Sequence, residues 1–460
     1  MRKLLLFVAI CIANNCLAQN RYWADPLGVP NGIEPTVCSE LLQMCSYDFT
    51  SSQLEKVKQR TIVFPVKKMV PLGGMPDKEL LGFALEQIGA EHLIDAGLTG
   101  KGVKVGIIDG GFLKANERRP LASVFAENRV ADYTDWITPD LAPYEGSVPL
   151  DDLHGTDVWQ LIAGFDKTKN LRLGIATDAI YYLARTDHGG YEKRLEEDLL
   201  IEAMESMIAK GVRLINVSLG YTNGYNRKEE NYQPEDMDGK TSMVARAVDS
   251  AFFNHDVLVV CAAGNDGNAK WKVVNTPGDA SGAFTVGAVK MNIYERMDYS
   301  SVGSPFLTHM KPNVSCFATQ GTSFATPIIT GLAASIWQYD STFTASDVRS
   351  IIERSSNYYP YGNDHVGYGV PNGERVMQML RTGEVGENMS LEVRVQKNTF
   401  KLDRTLKVPY VVVYHKRNDF QVVSTEILRP EASRIKLKRL EGIVRTTLLI
   451  DNEIIEIFWD

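Results

Sequence analysis

The sequence is short of several things, and each shortage removes a class of function. Its 49 basic residues are scattered among 57 acidic ones, for a formal net charge of −8, and no run of Lys and Arg gathers into a basic stripe. A nucleic-acid partner is therefore not expected. Beyond the first eighteen residues no apolar run is long enough to cross a bilayer, so no membrane span is expected in the mature chain. There is no internal repeat and no low-complexity tract. Histidine is scarce, with seven in 460 residues, so a search for a general base is short. Cysteine is scarce as well, with six. Cys38 and Cys45 are close enough for a local disulfide in an oxidising compartment. Cys261, inside the apolar run "VLVVCAAG", reads as a buried free thiol. Cys316 is open to either reading.

What remains is ordinary globular composition, 44% hydrophobic and 23% charged, at a length that holds one large domain with additions. The opening "MRKLLLFVAICIANNCLAQN" has a basic start at Arg2 and Lys3, a short apolar run and small residues at both ends of Cys16-Leu17-Ala18. That is the pattern of a secretory signal peptide, residues 1–18, cut after Ala18 and implying a secreted or periplasmic protein. Asn15, bulky and just before Cys16, argues against lipid attachment there.

A poorly patterned stretch follows, residues 19–81, with one helix-like piece, "SSQLEKVKQ", and one strand-like piece, "TIVFPVKKMVPL". From residue 82 to 382 the pattern alternates. Strands are expected at 103–108, 179–184, 214–218, 257–262 and 284–289. They are continuous apolar runs, as in sheets covered on both faces. Between them lie helix patterns: one carrying Leu195, Leu199, Ala203 and Met207, then 242–254, 322–339 and 344–355, the last opened by the cap "TASD". The fold expected is α/β: a doubly wound, mainly parallel sheet with helices on both faces. Residues 388–460 change character, with short strand-like runs and a hairpin signal at Asp451-Asn452, and read as a small all-β domain.

One stretch, "QGTSFATP", poses a chemical question. Ser323 either caps a helix or reacts. A serine hydroxyl is a weak nucleophile until a base takes its proton, and the base needs an orienting carboxylate. His154, in "DDLHGTDVWQLIAG", stands at the start of a helix with a buried face, although a structural or solvent-exposed role is the commoner fate of a lone histidine. Asp109 ends the apolar run "VKVGIID", and groups at the carboxyl ends of parallel strands face the ligand crevice. A surface turn is the alternative. Asn265, after "VVCAAG", is either a turn residue or an amide donor to a developing oxyanion.

The blocks "VGIIDGG", "HGTDVWQLIAG", "INVSLGY", "CAAGNDG" and "GTSFATPIITGLAA" together resemble the signature blocks of the subtilisin-like serine peptidases, the subtilase family, in that family's order. The resemblance covers residues 81–380, and the stretch from "YYLARTDHGG" to "INVSLGY" is similar to a bacterial secreted branch. It implies a serine endopeptidase with Ser323 as nucleophile, His154 as general base and acid, Asp109 orienting the imidazole, and the Asn265 amide with the Ser323 N–H as oxyanion hole. It further implies that a peptide or protein substrate binds extended along Ser218, Leu219 and Gly220, with Ala262, Ala263 and Gly264 as the second wall of the primary pocket. Asn275 then lies near the pocket floor and Asp266 near its rim, which makes the pocket narrow and polar; the alternative is that both only make turns. The resemblance implies no cofactor for the chemistry. Calcium is often bound in the family, but the acidic cluster Glu196–Asp198 reads more simply as a solvated helix face, and no metal ligand is assigned. Residues 19–81 are shorter than the family's inhibitory prodomain and form either such a segment or a packed arm. Two other functions stay open: a dedicated maturation protease or transpeptidase acting on one partner, and a catalytically dead binding protein on a peptidase scaffold.

Overall fold

The computed structural model describes residues 20–460 apart from 25, 36, 40–43, 61–62, 66–77, 147–151, 188–194, 224–230, 292–293, 385–389, 408–409, 430–433 and 452. The expected signal peptide lies outside the described residues. Among those described, no helix is long and apolar enough to cross a membrane.

The first described unit is an antiparallel sheet in the order β2-β3-β1-β4: β1 (Asn20–Ala24), β2 (Val37–Ser39), β3 (Met44–Phe49) and β4 (Val63–Pro65). The helix Ser51–Lys58 follows β3 and opens with a capping box, in which Thr50 and Gln53 each bond the other's backbone N–H. Tyr47, Phe49, Leu54 and Val57 form a small core of their own. Cys38 and Cys45 are opposite one another in the β2–β3 register, and their side chains lie outside the described residues.

The central sheet has seven strands, all parallel, in the order β13-β12-β11-β10-β5-β9-β6. They are β5 (Lys104–Asp109), β6 (Val130–Asp135), β9 (Ile180–Arg185), β10 (Leu214–Val217), β11 (Leu258–Ala262), β12 (Phe284–Val289) and β13 (Val314–Phe317). A two-residue ribbon, β7 (Phe165–Asp166) with β8 (Leu171–Arg172), intervenes. Alternate residues feed two cores. Leu214, Leu258 and Val260 meet the helices His154–Ala163 and Thr326–Tyr339, while Ile215, Val217 and Val259 meet the helices Leu195–Ala209 and Met243–His255. Covering both faces is what makes the strands read as unbroken apolar runs. β6 and β9 lie on one side of β5 and β10 to β13 on the other, so the chain leaves the neighbouring strands β5 and β10 in opposite directions and a crevice opens beyond their carboxyl ends. All five expected strands are present within a residue or two; β6 and β13 were not anticipated.

The expected helix face at 195–209 needs correcting. Leu195 is exposed, and Glu196, Glu197, Leu200, Ala203, Met204 and Met207 are buried. The acidic cluster is thus not a solvated face at its first two positions. The Tyr232 hydroxyl donates to Glu197 Oε2 at 2.7 Å. A helix's first turn also favours carboxylates beside its unsatisfied N–H groups.

The C-terminal residues form a five-stranded sheet, β14-β20-β19-β16-β17: β14 (Ser390–Val395), β16 (Val411–Lys416), β17 (Val422–Leu428), β19 (Arg445–Ile450) and β20 (Glu453–Trp459). A ribbon of β15 (Thr399–Asp403) and β18 (Arg434–Lys438) covers one face through Phe400, Ile435 and Leu437. The other face joins the main core through Val412, Tyr414, Leu449 and Ile454. Tyr414 meets Tyr358 edge-on at 5.6 Å. Asp364 accepts from Val422 N at 2.9 Å through its side chain and from Gly303 N at 2.8 Å through its carbonyl. Lys416 and Glu456, both without exposure, pair at 2.9 Å. β19 and β20 pair antiparallel up to Ile450 opposite Glu453, and Asn452 of the expected turn lies outside the described residues.

A chain ending at residue 384 should lose cooperative unfolding or unfold at least roughly 10 °C lower, because it uncovers an apolar core face. Thermal denaturation followed by circular dichroism checks this, and an unchanged transition would show that the β region is a detachable appendage.

Candidate active site

Asp109 is the last residue of β5 and is fully buried. The N–H of Gly110 donates to its Oδ1 at 2.8 Å. The helix that His154 begins comes in against this strand end. A Cβ on Gly155 would lie 2.4 Å from Gly111 O and 2.9 Å from Asp109 Cβ, so only glycine permits the approach. As a result His154 Nδ1 lies 2.6 Å from Asp109 Oδ1. A carboxylate only accepts, so Nδ1 carries the proton and Nε2 is left as the basic nitrogen. Asp109 Oδ2 has no hydrogen-bond partner among the described residues.

Burial pulls the His154 pKa down and is the largest single effect on it. The Asp109 carboxylate, by charge and hydrogen bond, with Asp157 and Asp187 behind it, outweighs that, and the net shift is upward. The imidazole is 29% exposed at its side chain, enough to meet a bound molecule.

Ser323 sits in a single 3₁₀ turn, Thr322–Phe324, directly before the helix Thr326–Tyr339, instead of inside that helix. Pro327 falls in the first helical turn, where its missing N–H costs nothing. The Ser323 hydroxyl donates to Ser218 O at 3.1 Å, and the Ser218 hydroxyl returns a bond to Ser323 O at 3.0 Å. Asn216 Nδ2 donates to Ser218 Oγ at 3.0 Å, and Asn216 Oδ1 accepts from Thr330 Oγ1 at 2.8 Å. These reciprocal bonds tie the end of β10 to the serine turn and its helix. The ring of Phe324 lies 5.7 Å from that of His154.

Asn265 Oδ1 accepts from Thr322 N at 2.8 Å, and Thr322 Oγ1 accepts from Gly264 N at 3.0 Å. A backbone N–H can only donate, so the amide oxygen is fixed toward Thr322. The Nδ2 group is then turned toward Gly321, where a Cβ would lie 3.1 Å from it. The arrangement offers an amide N–H beside the serine turn.

Ser218, Leu219 and Gly220 follow β10, and Ala262, Ala263 and Gly264 close β11. Tyr221 N bonds Thr276 O at 2.8 Å and Asn275 N bonds Ala263 O at 3.1 Å, which fixes Asn275 between the two walls. Its side chain fills the gap. A Cβ on Gly264 would lie 2.5 Å from Asn275 Oδ1, and one on Gly220 3.0 Å from Asn275 Cβ. Asn275 Oδ1 is buried with no hydrogen-bond partner among the described residues. Burial pushes the Asp266 carboxyl up, against a hydrogen bond from Asn275. Asn275 and Asp266 are therefore hydrogen-bonded neighbours beside Gly220 and Gly264.

The structure thus brings Asp109 to His154, Asn265 to the Ser323 turn, and Asn275 between the walls. Sequence reading missed Thr322, Asn216, Asp187 and Arg185. Of these only Arg185 left a signal: a charge ending the apolar strand "IYYLAR". Cys261 and Cys316 are buried free thiols, and burial pushes the Cys261 thiol up to about 12.

The His154 imidazole should titrate above the ordinary value of about 6.5, and Asp187→Asn should move its titration to lower pH by removing one favourable charge. NMR titration of the His154 ring protons reads both.

The family model described as "Subtilase family" matches residues 100–369, more than half of the chain. Subtilisin NAT of Bacillus subtilis subsp. natto is 29% identical over 311 residues, covering 64% of this chain and 71% of that one. A thermostable alkaline protease of Halalkalibacterium halodurans is 26% identical over 336 residues, covering 70% of this chain and 81% of that one. The solved structure of the Clostridium perfringens CspB protease superposes with a TM-score of 0.52 at 12% identity, covering 65% of this chain and 99% of that one, a likeness of fold.

Proposed function

The chain belongs to the subtilase family of serine endopeptidases, and we propose that it cleaves peptide bonds through Ser323, His154 and Asp109, with Asn265 in the oxyanion hole. The observation that carries this reading is the 2.6 Å contact between His154 Nδ1 and a fully buried Asp109 carboxylate, made across 45 residues of chain.

A peptide extended along Ser218–Gly220 gains main-chain hydrogen bonds at little cost in side-chain selectivity. The Ser323 hydroxyl leaves its bond to Ser218 O, gives its proton to His154 Nε2 and attacks the scissile carbonyl carbon. Asp109 stabilises the imidazolium. The carbonyl oxygen, now negative, accepts from Asn265 Nδ2 and the Ser323 N–H, at the positive end of the following helix. His154 then protonates the leaving amine, and a water attacks the acyl-enzyme by the same route in reverse. Neutral imidazole is the base. Activity is therefore present above the raised His154 pKa and falls as pH drops through it. The N-terminal pattern of residues 1–18 supports a secreted or periplasmic setting.

Specificity follows from Asn275. A carboxamide lying against Gly220 and Gly264, with the Asp266 carboxyl hydrogen-bonded to it, makes the space between the two walls narrow and polar, suited to a small polar P1 side chain.

Ser323→Ala should reduce peptide hydrolysis to background, and Asn265→Ala should lower kcat by about 10²–10³ with KM little changed. Steady-state kinetics on a peptide found by library screening test both, and a Ser323→Ala enzyme of undiminished activity refutes the reading. In a P1 library the wild type should favour small polar residues, and Asn275→Gly should shift the preference toward large apolar ones. Unaltered preference would separate Asn275 from the pocket.

A further inference from the structure

Arg185 ends β9, in register with Asp109 on β5. Its guanidinium is almost wholly buried, and it bonds three separate segments through four acceptors. Nε donates to Gly110 O at 3.0 Å. Nη1 donates to Asp135 Oδ2 at 3.2 Å and to Thr138 Oγ1 at 3.1 Å. Nη2 donates to Asp152 Oδ1 at 2.7 Å. Asp135 and Asp152 are themselves buried.

Two of these contacts lead to the reacting groups. The Gly110 peptide, gripped at its oxygen by Arg185, donates through its nitrogen to Asp109 Oδ1. That is the oxygen that accepts the hydrogen bond from His154 Nδ1–H. Asp152 stands two residues before His154, and its carbonyl accepts from Leu113 N at 2.9 Å, beyond the Asp109 turn. A single planar cation therefore holds the strand end that carries Asp109 and the segment that leads into His154.

We propose that Arg185 is a positioning residue for the triad: a buried guanidinium clamp that sets the Asp109–His154 contact by fixing Gly110 on one side and Asp152 on the other. The inference rests on the triad reading above. The planar fork is essential to it. Three nitrogens aimed in fixed directions can reach three acceptors at once, whereas an ammonium is one point on a flexible stem. The charges agree: the buried Arg185 cation is paired with Asp135 and Asp152, while the upward shift of His154 comes from Asp109, which the clamp positions, with Asp157 and Asp187. The primary pocket lies on β10 and β11, on the other side of β5, and makes none of these contacts.

The test is Arg185→Lys, which keeps the charge and loses the fork. Relative to wild type, kcat should fall roughly tenfold or more, with KM within about twofold, since alignment is lost and substrate binding is not. The low-field proton resonance of His154 Nδ1–H should broaden or move upfield, and the acid limb of the pH–rate profile should move to lower pH. A merely structural role would lower the unfolding temperature and leave the resonance and the limb in place. If Arg185→Lys does not fold, Asp152→Asn is read the same way, with a smaller loss of kcat in the same direction. A kcat within about twofold of wild type with an unmoved resonance overturns the proposal. Wild-type enzyme that hydrolyses no peptide would instead overturn the triad reading on which it rests.

Discussion

The site depends on a buried carboxylate facing an imidazole. Asp109 has no access to water, and its charge is tolerable only because His154 Nδ1–H and Gly110 N–H converge on one of its oxygens. Two elements distant in sequence must be brought within 2.6 Å for this. The chain does so with a glycine at position 155 and a parallel strand that ends at the winding reversal of the sheet. The other Asp109 oxygen has no hydrogen-bond partner among the described residues.

The serine half is built differently. Ser323 is presented by a 3₁₀ turn that is locked to β10 by reciprocal bonds with Ser218 and to β11 by the Thr322–Asn265–Gly264 bonds. Both strands lead into the proposed substrate walls as well. Positioning of the nucleophile and shaping of the pocket are therefore one constraint, and Asn275 is fixed by the same wall-to-wall bonds. The C-terminal sheet braces the far side of this region. Asp364 links the turn before β17 to Gly303, and Val302 and Ser301 beside it bond Val274 and Gly264 at 2.8 and 3.0 Å.

Much of this was legible in the sequence, for identifiable reasons. β5, β9, β10, β11 and β12 are continuous apolar runs because both faces are covered, and such runs are unmistakable. β6, "VADYTD", is a half-exposed edge strand with three polar residues, and β13, "VSCF", has only four residues, so neither carries a period. The helix 195–209 was placed correctly, and Ala203 and Met207 are in the core as read, but its first turn was not, because Glu196 and Glu197 are buried by tertiary contacts that no local pattern records. Asp109, His154, Asn265 and Ser323 were each readable at a strand end or a helix start. The Arg185 cluster was not, since its acceptors come from residues 110, 135, 138 and 152 and meet only in the folded sheet.

The account's central claim is that the Asp109–His154 pair makes Ser323 nucleophilic. Covalent labelling measures this directly. The wild-type protein is incubated with a fluorophosphonate across a range of pH, and the modified peptide is identified by mass spectrometry. The account predicts a single adduct on Ser323, formed at a rate that rises with pH through a pKa above that of ordinary histidine. It also predicts that labelling disappears in Ser323→Ala and collapses in His154→Ala. Folded wild-type protein that stays unlabelled, or that is labelled at another residue, would contradict it.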